Sequence, residues 1–168
     1  MIKNLKKRHK ILMVCMIFLL LGVLGVTLFG SYKPCCWFKQ SSISTNSDIV
    51  KEVTAQNGTI QIPISEVNDG IMHFYKYNAS NVWIRFFVVK AQSGNIKTAF
   101  DACEACGPAG YYQSGNELVC KKCGLKFNIE DIGIIVGGCN PIPLNAMLSA
   151  SDVIISVSDI ESGRQYFD

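Results

Sequence analysis

Four cysteines fall in two identical pairs, Cys103-Glu-Ala-Cys106 and Cys120-Lys-Lys-Cys123, with thirteen residues between them. A Cys-x2-Cys pair presents two sulfurs from one tight turn whose backbone amides point inward and stabilise thiolate charge. Two such turns can place four sulfurs at the corners of a tetrahedron, which is what zinc and iron-sulfur centres require. Glycine follows each pair, at Gly107 and Gly124, where it relieves crowding in the turn. The repeated Cys-x2-Cys-Gly points to metal binding without specifying the metal.

Three chemistries compete for these sulfurs. A structural zinc ribbon has about 15 to 20 residues between pairs, slightly more than are present here. Thioredoxin-type redox chemistry needs one Cys-x2-Cys at a helix start within alternating strands and helices, a pattern the chain lacks; structural disulfides are the related possibility. The third is iron, as an iron-sulfur cluster or a mononuclear thiolate centre. A soft metal such as copper, captured by the pairs together with Cys139, is a further possibility. No nucleophile elbow, phosphate-cradling glycine loop or His-carboxylate pair supports a catalytic assignment.

Val119 to Phe127, the following Gly137-Gly138-Cys139-Asn140-Pro141-Ile142-Pro143-Leu144 and a last apolar run over Val153 to Val157 resemble the second half of a Rieske domain. Rieske centres use two histidines, whereas this chain contains only His9 and His73. With cysteines where the imidazoles are expected, the resemblance implies a Rieske-like β scaffold around an all-thiolate centre of lower potential. More specifically, Phe100 to Cys106, Gly110-Tyr111, Cys120 to Gly124 and Gly138 to Pro141 are similar to the FtrD-like membrane iron-sulfur proteins. That likeness spans roughly Gly58 to Asp159. It implies an iron-sulfur cluster on Cys103, Cys106, Cys120 and Cys123, electron transfer linked to iron or other metal handling, and a membrane redox or metal-transport partner.

If the Gly137 to Leu144 loop covers the centre as the resemblance suggests, Cys139 is a fifth thiol beside it, as a ligand, a reserve thiol or a hydrogen-bond donor; the alternative is a buried free cysteine. His73, on an expected strand between Met72 and Phe74, is the remaining candidate ligand and is weighed against an ordinary structural histidine. Asp101 and Glu104 read as solvated carboxylates beside the first pair. Tyr111 and Tyr112 read as shields that keep water from the turns.

The cysteines must be carried by something, and the chain ahead of them sets where. From Ile11 to Phe29 nineteen residues carry no charge and are almost all apolar, enough at about 1.5 Å rise per residue to cross a bilayer as one helix. A cleaved signal peptide is the alternative, but Ser31 to Cys35 is a poor cleavage site. Lys3, Lys6, Lys7, Arg8 and Lys10 precede this segment without an acidic residue, which places residues 1–10 in the cytoplasm and the rest outside. Five of the sixteen basic residues lie there, leaving eleven against thirteen acidic ones, so nucleic-acid binding has no electrostatic support. Cys15 reads as a buried apolar residue of the span. Cys35 and Cys36 have no assignable role.

Residues 30–57 are rich in Ser, Thr, Asn and Gln and read as a polar tether. Residues 58–168 then form the extracytoplasmic metal-binding domain, mainly β and antiparallel. Its expected strands are Ile60 to Ile64, Ile71 to Tyr77, Val82 to Lys90, Ile96 to Phe100, Leu118-Val119, Phe127 to Ile129, Ile132 to Val136 and Val153 to Val157, separated by turns such as Asn68-Asp69-Gly70 and Ser93-Gly94-Asn95. About 110 residues suffice for a core, and a metal cross-link would add to its stability.

Overall fold

The computed structural model describes residues 49–168. The expected cytoplasmic segment, transmembrane helix, His9, Cys15, Cys35 and Cys36 all lie outside the described residues. Among the described residues no helix is long and apolar enough to cross a membrane.

Among the described residues ten strands form three sheets. β1 (Val50–Val53), β3 (His73–Ala79), β4 (Val82–Lys90) and β5 (Ile96–Phe100) make a four-stranded sheet in that order. β2 (Thr59–Pro63), β10 (Asp152–Ser156) and β9 (Met147–Leu148) make a second, and β6 (Tyr111–Ser114), β7 (Glu117–Cys120) and β8 (Lys126–Asn128) a third. The helices among the described residues are short: α1 (Ile64–Val67), α2 (Val157–Glu161) and two 3-10 turns at Ile129–Asp131 and Arg164–Tyr166.

The four-stranded sheet is the middle layer, which explains the composition of β4. Successive side chains of a strand point to opposite faces. Phe86 and Val88 therefore enter one core with Ile60, Ile62, Val153 and Ile155 of the second sheet, while Phe87 and Val89 enter another with Tyr111, Leu118 and Cys120 of the third. A strand buried on both faces has no polar alternation, and the run Phe86-Phe87-Val88-Val89 is fully apolar as that requires. Neighbouring strands sort in the same way: Tyr75 and Phe100 face the first core, Phe74 and Ala99 the second.

Three expectations change. Val50–Val53, read as tether, is a strand that pairs in parallel with β3, so the ordered fold includes residues ahead of Gly58 and the domain is not purely antiparallel. Its Lys51 and Glu52 are exposed while Val50 and Val53 are half-buried, a polar edge strand that composition alone disguises. Gly58 instead sits with Asn57 in a tight turn, both at positive φ, closed by Gln56 and Thr59, the Asn-Gly hairpin signature. Ile132 to Val136, expected as a strand, is a turn: Ile134 and Ile135 both donate to the Asp131 carbonyl, and Gly133 and Gly137 lie at positive φ on either side. Their β-branched side chains favour a strand only where a partner strand is available. Pro63 ends β2, on the edge of its sheet, because proline cannot donate to a ladder.

Phe87 fills the second core between Phe74 and Tyr111, with ring centroids 5.9 and 6.2 Å away. Phe87→Ala is expected to lower unfolding free energy by about 3–5 kcal/mol, as measured by urea denaturation, and to loosen the layer beneath the cysteines.

Candidate metal centre

Each cysteine pair is a knuckle at the end of a strand. β5 runs through Phe100 into Cys103, and the chain turns back at once: Cys103 and Gly107 exchange both backbone hydrogen bonds, at 3.1 and 2.9 Å, around Glu104 to Cys106. The second knuckle joins β7 to β8. Cys120 donates to the Leu125 carbonyl at 3.0 Å and accepts from Gly124 at 2.9 Å. Gly107 and Gly124 stand at φ +65° and +71°, with open space where a Cβ would go. It is the left-handed backbone that calls for glycine at both turns, with no steric crowding involved.

Two links bring the knuckles together. Tyr111 of β6 pairs with Cys120 of β7, and the Lys121 amide donates to the Gly110 carbonyl at 2.9 Å. The segment after Cys139 runs along β5 as an irregular extra strand: Phe100 donates to Ile142, Ile142 to Ala102, and Leu144 to Thr98. The Ala105 amide donates to the Gly138 carbonyl at 3.0 Å, and the Tyr111 hydroxyl to the Cys139 carbonyl at 2.8 Å. Cys139 is thereby held over the first knuckle by backbone contacts that leave its thiol free.

Five thiols converge as a result, all unpaired by disulfides. Cys103, Cys106 and Cys139 have sulfurs within 4.8 Å of one another, as do Cys106, Cys120 and Cys123. The Cys139 sulfur is 3.7 Å from that of Cys106 and 3.6 Å from that of Cys123. Ligands at about 2.3 Å from a tetrahedral ion lie about 3.8 Å apart, so the donor set suits a thiolate-bound metal. Cys103 and Cys120 are buried and Cys123 is exposed, so the group opens to solvent on one side.

The thiols differ in how readily they ionise. The Leu125 amide donates to Cys123 and lowers its pKa to about 7. Cys106 is pushed well up by loss of hydration and by hydrogen bonding to Cys139. Cys139 is raised chiefly by its contact with Cys123. The Cys103 sulfur accepts from the Cys106 amide at 3.2 Å. Amides aimed at the sulfurs are what a thiolate site needs to hold negative charge.

Asp101 departs most from expectation. It is 2% exposed rather than solvated, bound at 2.8 Å to Arg85 of β4 and accepting the Tyr111 amide at 2.7 Å. Burial outweighs both partners and raises its pKa to about 6. Arg85 also donates to the Pro108 carbonyl at 3.2 Å, so this pair ties the middle sheet to the segment between the knuckles. Gly110 makes room for it: a Cβ there would stand 2.8 Å from the Arg85 guanidinium and 2.9 Å from the Asp101 carboxylate. Sequence reasoning missed Arg85, and no local signal marks it, since its partner is a turn reached through β5. Glu104 is exposed, as expected.

Of the two tyrosines, Tyr111 is buried among the cysteines whereas Tyr112, one residue on, points to the outer face and is exposed. His73 is not among the grouped thiols. Its Nε2 pairs with Asp69 Oδ1 at 2.9 Å, beside a cleft of about 160 Å³ that Glu66 and Tyr75 also line.

A family model described as "Membrane iron-sulfur containing protein FtrD-like" matches residues 67–167, well over half of the chain. No curated protein and no solved structure matches the chain.

Asp101→Ala leaves Arg85 and the Tyr111 amide without their shared acceptor. It is expected to cost about 3 kcal/mol in chemical denaturation, whereas Tyr111→Phe, which removes one hydrogen bond to the Cys139 carbonyl, should cost only about 1 kcal/mol.

Proposed function

The chain belongs to the FtrD-like family of membrane iron-sulfur containing proteins, and on that premise we propose that its ordered domain is an electron carrier built on thiolate-bound iron. The ligands are Cys103, Cys106, Cys120 and Cys123, with Cys139 as a fifth thiol at the same centre. The observation that carries this reading is the convergence of five free thiols from three chain segments within contact distance of one another. Nothing in packing alone calls for so many.

An iron-sulfur group bound there would supply one-electron redox chemistry. The chain's own residues govern its setting. Amides of Cys106 and Leu125 donate to sulfur and favour the thiolate form. Buried Tyr111 keeps water from the inner side, while exposed Cys123 marks the side from which electrons enter and leave. Thiolates in place of imidazoles keep the potential low. The Rieske-like part of the proposal rests on the second knuckle, carried by the β7–β8 hairpin under the Gly137 to Leu144 loop. The partner is a membrane redox or metal-transport protein. The chain is anchored by 11–29 with its N-terminus in the cytoplasm and residues 58–168 outside, and nucleic acid plays no part.

A structural zinc site is the second reading, favoured by sulfur separations of 3.6 and 3.7 Å, which match one tetrahedral ion. Anaerobic purification of the full chain followed by metal analysis and visible spectroscopy separates them. Iron with charge-transfer absorption that bleaches on reduction is expected. A colourless protein with one zinc would overturn the electron-carrier reading, and copper would identify a soft-metal capture site. Cys120→Ser should abolish iron retention and destabilise the domain by several kcal/mol, since binding and folding are coupled; full retention would remove Cys120 from the ligand set.

A further inference from the structure

Five thiols are one more than a tetrahedral ion takes, and their arrangement is uneven. Cys103, Cys106 and Cys139 form one triad with sulfurs within 4.8 Å of one another, and Cys106, Cys120 and Cys123 form a second. The triads meet at a single atom, the Cys106 sulfur, which therefore has the other four sulfurs within 4.8 Å. Around one tetrahedral ion each sulfur has only three neighbours, at about 3.8 Å. A sulfur with four neighbours exceeds that number. It fits a corner that two tetrahedra share.

The backbone holds Cys106 in that place. Its amide turns onto the Cys103 sulfur at 3.2 Å, and the amide of the preceding Ala105 is tied to the Gly138 carbonyl at 3.0 Å. Cys139 closes the first triad at 3.7 Å from the Cys106 sulfur and touches the second at 3.6 Å from the Cys123 sulfur. Charge points the same way. One divalent ion on four thiolates is left doubly negative with a fifth thiol forced to stay protonated, whereas two divalent ions on five thiolates are left singly negative. For a centre whose Cys103 and Cys120 are buried, the smaller net charge costs less to remove from water.

We propose that the centre takes two divalent metal ions, one on Cys103, Cys106 and Cys139 and the other on Cys106, Cys120 and Cys123, with the Cys106 thiolate shared between them. This rests on the reading of the five thiols as metal ligands and adds a second ion to it. In an iron-sulfur cluster inorganic sulfide joins the metal ions; here a sulfur of the chain itself does so. Cys139 is then a required donor, and the Gly137 to Leu144 loop is part of the site.

The test titrates cobalt(II) into the full chain in detergent, after its metal has been stripped by a chelator under anaerobic, reducing conditions. Thiolate-to-cobalt absorption is expected to rise until two equivalents are bound. The cobalt EPR signal should by then be a small fraction of that of two independent ions, because ions that share a thiolate couple magnetically. Saturation at one equivalent would overturn the second ion and leave a single-ion centre standing, whereas no uptake at all would remove the metal reading with it. Two equivalents with the full EPR signal would overturn the bridge. Cys139→Ser should stop at one equivalent with an uncoupled signal, and two coupled ions in that variant would overturn the first triad. Cys106→Ser should abolish the coupling, and its persistence would exclude Cys106 as the bridge. Acid-labile sulfide in proportion to iron in the chain before stripping would put inorganic sulfide between the ions and overturn the proposal. Bleaching of the iron-loaded chain on reduction tests the electron-carrier reading separately.

Discussion

The buried carboxylate of Asp101 is the junction on which the thiol centre depends. One oxygen takes the Arg85 guanidinium from the middle sheet and the other takes the Tyr111 amide from the third sheet, while the Asp101 backbone continues β5 into the first knuckle. A charge at 2% exposure is costly unless it is paired and hydrogen-bonded. That cost ties the layers together, since any arrangement that separates them strands the charge. Gly110 is part of the same constraint, as no side chain fits where its backbone passes the pair.

With that junction in place the rest is backbone geometry. The first knuckle is an extension of β5, the second is the tip of β7–β8, and Cys139 is carried in by a chain segment zipped along β5. Main-chain hydrogen bonds fix Cys103 and Cys120, the Cys106 amide turns onto the Cys103 sulfur, and Cys139 is held by the bonds of Gly138 and by the Tyr111 hydroxyl. Cys103, Cys106, Cys120 and Cys139 belong to or pack on the second core, so apolar burial supports the inner side of the centre while Cys123 faces outward. The centre is thereby packed against a core on one side and reachable from solvent on the other.

The strands most legible in the sequence are those whose partners lie close along the chain. β4 and β5 occupy the expected residues Val82 to Lys90 and Ile96 to Phe100, joined by a Ser-Gly-Asn turn with strong local signals. Elements defined by distant partners were harder to read. Val50–Val53 is polar enough to pass for a tether and is a strand only because β3 presents an edge to it. Ile132 to Val136 has the composition of a strand, yet Gly133 and Gly137 turn it outward.

By itself, the sequence determined the donor chemistry: two Cys-x2-Cys-Gly knuckles, whose glycines the left-handed turns demand, and a fifth cysteine in a Gly-Pro loop. Those are local properties, set by residue type and by spacing within a few positions. Only the tertiary structure decided that Cys139 stands within 3.7 Å of both knuckles, that Asp101 is buried against Arg85, and that Tyr111 turns inward while Tyr112 turns out. The reason is that each depends on which strands come to lie side by side, a choice made by burying two cores at once rather than by any stretch of chain alone.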